Sequence, residues 1–354
     1  MKKITEGKAQ IFAPDESLTK KAEAFYNPAM EHQRNVTVAI VKMLKAKEIL
    51  DPLAATGIRG IRLIKEAGAQ KVIFNDRNPN AVKLIAKNLK ANKIKKGFFE
   101  IHQKDANALF VEKNRFAYVD VDPFGSPIRY LRDVSYALGK NSALGVTATD
   151  CGALSGKFAE ACFRRYGVFV AETDFPKELG IRVLITSVMQ NLAVYGFAFE
   201  PLYSHANHYF RVIGSVHYGG GKNLQAVKML SYCPRCHNKK IGVEKSCDNC
   251  KGEMKIIGPL WTGRIQDRGF CARLLGNFAF AHKKEILLCS QEIDAPFYYD
   301  VHRLAEFLRK SPPQIEAAIA SLKAKGFEAS RTHLCPTGIK TNATFKEIIK
   351  IINI

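Results

Sequence analysis

Apolar positions along this chain switch repeatedly between a two-residue and a three-to-four-residue period. After Asn27 and Pro28, MEHQRNVTVAIVKMLKA carries apolar residues at helical spacing and predicts a helix ending near Lys47. EILDPLAATGIRGIRLIKEAG then reads as a short strand, a loop of small residues and a second helix. KVIFND (71–76) predicts another strand, and residues 79–92 a helix. FFEIHQKDA (98–106), FAYVDVD and ALGVTATD (143–150) predict three more strands, with a helix over 130–138 before the last. Strands alternating with helices at this length imply parallel βαβ crossovers. A helix over 177–195 precedes FAFEPLYSHAN and HYFRVIGSVHYG, two late strands suited to antiparallel pairing. The fold class is therefore α/β, with a helix-flanked, mostly parallel sheet.

GGGKN (219–223) is the clearest break and divides the chain into domains 1–222 and 223–354. The second holds a cysteine-rich module at 231–254 and two amphipathic helical patterns on either side of Ser311-Pro312-Pro313. Those helices and the glycine turn after them suggest a helix-turn-helix or winged-helix unit. Arg303, Arg309, Lys310, Lys323, Lys325, Arg331 and Lys340 are expected on its exterior.

Charge adds a partner to this picture. Lys and Arg number 54 against 33 acidic residues, a net charge of +21 over 354 residues. Such an excess favours a polyanion, because each neutralised phosphate releases condensed counterions. No apolar run reaches the roughly 20 residues that cross a bilayer. The basic N-terminus lacks the apolar core of a signal peptide, which implies a cytoplasmic protein with no membrane partner.

Ligands of doubly wound sheets bind at the carboxyl ends of the strands. Asp51, Asp76, Asp105 and Asp122 all fall at or just after such ends. Ala54, Ala55, Gly57 and Gly60 follow Asp51 and let a ligand approach the backbone. Asp76, 25 residues further on, stands where an acid binds ribose hydroxyls, and Asp105 within reach of an adenine edge. The loop has neither G-x-G-x-x-G nor the GK[ST] phosphate cradle, which disfavours nicotinamide dinucleotides and ATP. S-adenosylmethionine has no phosphates; its carboxylate needs a cation, which Arg34 or Arg59 can supply.

Asp122-Pro123-Phe124-Gly125 puts a carboxylate and an aromatic ring together at a strand end. That pair suits an exocyclic amine on a flat base, with the acid accepting the amine's hydrogen and the ring stacking on the base. A buried strand ending in an Asp-Pro turn explains the same residues. Cys233-x2-Cys236-x10-Cys247-x2-Cys250 has the spacing of a closed tetrahedral zinc site, structural rather than catalytic. His237 is surplus to it and reads as an exposed loop residue. The other five cysteines read as small apolar fillers.

Taken together, FYNPAMEHQRN, DPLAATGIRGIR, FNDRNPNAV, KDAN, DVDPFGSP, TATDCGALSG and PTGIKTNA make the chain resemble the tRNA (guanine-26-N2)-dimethyltransferase family in its compact archaeal form. The resemblance implies a class I S-adenosylmethionine-dependent methyltransferase domain with a seven-stranded sheet, followed by a smaller α+β C-terminal tRNA-binding domain with a zinc-ribbon-like module. It implies Asp122 as catalytic acid and Phe124 as stacking residue. Arg34, Arg59, Asp76, Asp105 and Ala106 become cofactor contacts, Phe25 and Arg62 site walls, and Cys233, Cys236, Cys247 and Cys250 zinc ligands. CGALSG departs from the family's usual wording after TATD. The implied activity is dimethylation of guanine N2 in tRNA; nothing in the sequence demands more than a monomer. Methylation of another base's amine, or a non-catalytic zinc-ribbon and winged-helix binder, are the competing readings.

Overall fold

The computed structural model describes residues 1–15, 24–112, 115–278 and 283–352. Its centre is a seven-stranded sheet, but the chain starts with a hairpin that the helix-and-strand rhythm did not anticipate. Strands β1 (Lys2–Glu6) and β2 (Ala9–Ala13) pair antiparallel around Gly7, whose φ of +53° lies in the left-handed region. Helix α1 (Glu31–Leu44) follows, ending at Lys45 in a left-handed cap.

The sheet strands are β3 (Glu48–Asp51), β4 (Lys71–Asn75), β5 (Phe99–His102), β6 (Phe116–Val121), β7 (Leu138–Ala148), β8 (Phe197–Ala206) and β9 (Phe210–Tyr218). Their order is β5-β4-β3-β6-β7-β9-β8. All pairs from β5 to β7 are parallel, and β9 runs antiparallel between β7 and β8. The predicted alternation thus holds, and the two late strands form the predicted antiparallel pair. The chain winds outward first from β3 towards β5 and then from β6 towards β8. The β3–β6 boundary is therefore the switch point where a crevice opens at the strand ends.

Close packing behind that crevice depends on Gly60 in helix α2 (Ile58–Ala67). A Cβ there would lie 2.2 Å from the Phe74 ring, so only glycine lets α2 sit down on β4. Helix α3 (Pro79–Ala91) starts at Asn78, which caps it, and its proline occupies the first turn where no N–H is needed. The predicted helix over 130–138 is instead two single turns, Ile128–Leu131 and Val134–Ala137, and Leu138 already belongs to β7.

GGGKN folds as part of a short helix, Gly220–Leu224. Beyond it, β10 (Val227–Tyr232), β11 (Lys239–Ile241) and β12 (Lys255–Trp261) form an antiparallel sheet carrying the cysteine module. Helices Arg268–Asn277 and Lys284–Gln291 come next. Strand β13 (Tyr299–Asp300), helices Val301–Leu308 and Ile315–Ala324, and strands β14 (Ala329–Arg331) and β15 (Gly338–Thr341) complete a winged-helix-like unit.

The C-terminal part shares its core with the sheet. Leu230, Ile257 and Trp261 belong to the same buried cluster as Leu184 and Val188 of the helix Pro176–Ala193. Phe270, Leu274 and Ile286 join the cluster of α1 and the first hairpin. Fully buried Glu178 is a polar clamp between them: it accepts N–H bonds from Phe297 and Tyr298 and pairs with Arg182 and Lys340. Lys340, expected on the exterior, is therefore 2% exposed and bound to both Glu178 and Glu292. Among the described residues no helix is long and apolar enough to cross a membrane.

Candidate active site

Asp122 follows the last residue of β6, so the strand aims it into the switch-point crevice. Its side chain is 15% exposed, and Oδ2 is held by Arg59 Nη2. The same guanidinium reaches Asp120 through Nη1 and Gln33 Oε1 at 3.1 Å. Asp120 and Asp122 are two residues apart on an extended chain, hence on one face, and Arg59 from α2 bridges them. Asp120 is wholly buried, receives two nitrogens of Arg211 at 2.6 and 3.1 Å, and accepts the Tyr118 hydroxyl at 2.6 Å. Burial alone would raise Asp120, but Arg211 and Arg59 outweigh it and hold the carboxyl below its ordinary value. The Arg59–Asp120–Arg211 array therefore forms a rigid floor beneath Asp122.

Asp51, at the end of β3, lies beside this floor. Burial, reinforced by Asp120, Asp122 and Asp76 and only partly offset by Arg59, pushes it up to about 7. Its Oδ2 is buried and has no hydrogen-bond partner among the described residues. Such an oxygen is expensive to leave unpaired unless a ligand supplies a donor. Next along the rim, Asp76 accepts the backbone N–H groups of Ala55 and Asn78, each at 2.9 Å. Burial still lifts it above the ordinary value. Its bond to Ala55 fixes the small-residue loop with Ala55 at φ +51°, a left-handed conformation uncommon outside glycine. Asp105 caps the short helix α4 (Ala106–Phe110) by accepting from Asn107, and Ala106 is buried.

Across the crevice, the Phe124 ring is 52% exposed and meets Phe25 edge-on, centroids 4.5 Å apart. Gly125, at φ +74°, donates to Thr149 Oγ1 at 2.6 Å and accepts from the Thr149 N–H at 2.9 Å. DPFG and TATD are thus stitched together, which fixes where Phe124 projects.

The predicted residues fall into two groups. Asp122, Phe124, Phe25, Asp76, Asp105 and Ala106 lie along the carboxyl ends of the strands. Arg59 is the counter-ion of Asp120 and Asp122 rather than a cation with free charge. Arg34 is bound through Nε and Nη2 to Glu6 of the hairpin at 2.7 and 2.5 Å; its Nη1 makes no hydrogen bond to a described residue. Arg62 is fully buried and tied to Glu6 and Glu66, so it packs under the hairpin and is not a wall of the crevice. Asp120, Arg211, Gln33 and Glu6 were missed. Asp120 did leave a signal: a charge inside an apolar strand needs a buried partner.

Comparison with known proteins adds the chemistry. Residues 7–353 match the family model described as TRM, N2,N2-dimethylguanosine tRNA methyltransferase. The chain belongs to that family. The tRNA (guanine(26)-N(2))-dimethyltransferase of Methanosphaera stadtmanae is 34% identical over 99% of this chain and 96% of its own length. That of Saccharolobus solfataricus is 37% identical, covering 99% and 98%. The solved complex of Trm1 from Pyrococcus horikoshii with S-adenosyl-L-methionine superposes with a TM-score of 0.90 at 30% identity, covering 99% of both chains.

This family member also carries the four cysteines as one cluster. Cys233 and Cys250 sulfurs are 3.4 Å apart and those of Cys236 and Cys247 3.6 Å. Those separations are near the edge, about 3.8 Å, of a tetrahedron with Zn–S bonds of roughly 2.3 Å. Each Cys-x2-Cys knuckle closes on a left-handed residue, His237 at φ +64° and Lys251 at φ +60°. At Cys247, N–H groups of Cys250 and Asn249 and the Asn238 amide overcome burial and bring the thiol down to about 7. The four residues fit a zinc ion and leave no position for substrate. His237 is not an exposed loop residue: it is half-buried, and its Nδ1 lies 2.7 Å from the Tyr232 hydroxyl.

Proposed function

We propose that the chain transfers two methyl groups in succession from S-adenosylmethionine to the exocyclic N2 of guanine 26 in tRNA. The observation that carries this reading is an ion-paired carboxylate, Asp122, beside an exposed aromatic ring, Phe124, at the switch point of a sheet that matches dimethyltransferases along its whole length. When bound, S-adenosylmethionine would supply a sulfonium-borne methyl group for an amine nitrogen to take up, the neutral thioether S-adenosylhomocysteine being the leaving group.

The protein's task is then alignment and proton removal. Asp122 Oδ2 is held by Arg59, which leaves Oδ1 to accept an N2 hydrogen and take the proton as the N–C bond forms. The monomethylated amine keeps one hydrogen, so the same oxygen, once it has passed its proton to solvent, serves the second round. A single carboxylate oxygen can also accept from N1–H and N2–H of guanine together, a pairing that adenine, which has no N1–H, does not offer. A guanine inside a folded tRNA must leave its stack to reach this crevice, where Phe124 offers a replacement face.

Asp51 Oδ2 is the proposed partner of the cofactor's ammonium, and Arg34 Nη1 of its carboxylate. Asp76 takes the ribose hydroxyls, and Asp105 with Ala106 the adenine edge. Arg59, expected to touch the cofactor, instead acts by positioning Asp122. Cys233, Cys236, Cys247 and Cys250 hold a structural zinc ion. The net charge of +21 supports tRNA as partner, and we take the protein to work as a cytoplasmic monomer.

The test is nucleoside mass spectrometry of unmodified tRNA incubated with the protein and isotopically labelled donor. Label in N2,N2-dimethylguanosine, lost when position 26 is not guanine, is the expected result. Label in adenosine or cytidine would favour the other-base reading. No label, together with no heat on titration with S-adenosylmethionine, would favour the non-catalytic binder.

A further inference from the structure

A second cavity of about 710 Å3 lies between the start of α1, the β8–β9 turn, helix Lys284–Gln291 and the segment 331–336. None of the acids of the crevice lines it. Three of its side chains converge from parts of the chain far apart in sequence. His32 comes from the first turn of α1, His205 from the end of β8 and Glu285 from the first turn of helix Lys284–Gln291. His205 Nδ1 is 2.7 Å from Glu285 Oε1, and His32 Nε2 is 3.5 Å from Glu285 Oε2. The three donor atoms all lie within 4.8 Å of one another. The Tyr203 hydroxyl donates to Glu285 Oε1 at 2.5 Å and fixes the carboxylate's orientation.

Hydrogen bonding accounts for His205 and Glu285 but not for His32, which meets Glu285 only across a loose 3.5 Å ion pair. Both ring nitrogens of His32 are buried and neither makes a hydrogen bond to a described residue. Ring nitrogens shut off from water with no hydrogen bond are costly, and this half-buried ring points one of them at a carboxylate that is already oriented. We propose that His32, His205 and Glu285 form a zinc-type metal site, separate from the cysteine cluster, which pins helix Lys284–Gln291 to α1 and β8.

The donor set decides the class of ion. Two imidazoles and one carboxylate suit Zn2+ and similar borderline divalent ions; Mg2+ and Ca2+ prefer all-oxygen sets. Three protein donors leave one tetrahedral position for water. Tetrahedral zinc with bonds of about 2.0–2.1 Å needs donor separations of roughly 3.4 Å. The His32 Nε2–Glu285 Oε2 distance of 3.5 Å already meets this, and the remaining separations, all within 4.8 Å, need to change by at most about 1.4 Å to reach it. Tyr203 then plays the supporting part that outer hydrogen bonds commonly play for a ligating carboxylate. Since α1 also carries Gln33 and Arg34, the ion would tie the C-terminal part to the helix that lines the crevice.

Metal content tests this without reference to activity. Full-length protein is equilibrated with zinc, desalted and analysed by inductively coupled plasma mass spectrometry, alongside His205→Asn and Glu285→Gln. Wild type is expected to hold about one more zinc per chain than either variant. The wild-type protein loaded with cobalt answers the same question with no variant. Cobalt bound here should give d–d bands without thiolate charge-transfer absorption, in addition to any thiolate signal from the cysteines. Equal metal content in all three proteins, or a cobalt spectrum with thiolate character alone, overturns the proposal.

Discussion

Arg59 and Asp122 are joined across the switch point, one from the first helix after β3 and the other from the tip of β6. The pair does two jobs. It gives Asp122 a cationic partner in a setting only 15% exposed, and it fixes which of the two carboxylate oxygens faces the crevice. Its rigidity comes from below, where Asp120 shares the same guanidinium and is itself locked by Arg211 and Tyr118.

Asp122→Asn keeps the shape and a hydrogen-bonding group but cannot take a proton. We expect methyl transfer to fall by about 10²–10⁴-fold while titration with S-adenosylmethionine gives near wild-type affinity. Wild-type turnover of this variant on tRNA would remove Asp122 from the mechanism.

Phe124→Ala removes a stacking face from an exposed turn whose geometry is set by Gly125 and Thr149, so folding should be unaffected. Base stacking on an aromatic side chain contributes roughly 1–3 kcal/mol. The variant should therefore lose on the order of 10-fold or more in kcat/KM for tRNA. Its affinity for S-adenosylmethionine should not move, and a parallel loss there would mean that Phe124 contacts the cofactor.

Asp51 should make stability depend on pH. Its folded-state value, about 7, lies above the ordinary 3.8, so the folded protein binds this proton more tightly than the unfolded chain does. The stabilisation is complete below about pH 4 and is lost as pH rises through about 7. Thermal melts of wild type and Asp51→Asn at pH 5 and pH 8, without cofactor, should show a smaller drop for the variant. Identical pH dependence in the two proteins would mean that Asp51 titrates normally.

Glu178→Ala would leave the Phe297 and Tyr298 N–H groups without their acceptor and remove one carboxylate from beside Arg182 and Lys340. Breaking a buried, hydrogen-bonded ion pair typically costs about 3–5 kcal/mol. Chemical denaturation should show a loss of that order, and a change below about 1 kcal/mol would indicate that the C-terminal part is held mainly by its apolar contacts.

Removing metal from the cysteine cluster should loosen the module between β10 and β12 more than the sheet. Hydrogen exchange after chelation is expected to rise across residues 233–254 while the strands β3 to β6 stay protected. Uniform protection before and after chelation, with zinc shown to be gone, would mean that the module folds without it.

The sequence alone determined what depends on local spacing. Period changes revealed the strand–helix alternation, Cys-x2-Cys pairs revealed the four-cysteine cluster, and the acids at strand ends marked the crevice, because each feature is written within a few residues of chain. Asp122 and Phe124 could be paired as candidates for the same reason: they are neighbours in one turn, and the fold sets both at the crevice. Only the tertiary structure decided who pairs with whom. Arg59 and Arg34 looked alike as free cations; folding gave one to Asp120 and Asp122 and the other to Glu6, from a hairpin that no helix or strand rhythm tied to the sheet. Lys340 looked like surface charge until Glu178 and Glu292 enclosed it. A buried charge is set by partners as far as 162 residues away, as Lys340 is from Glu178, and spacing along the chain carries no record of them.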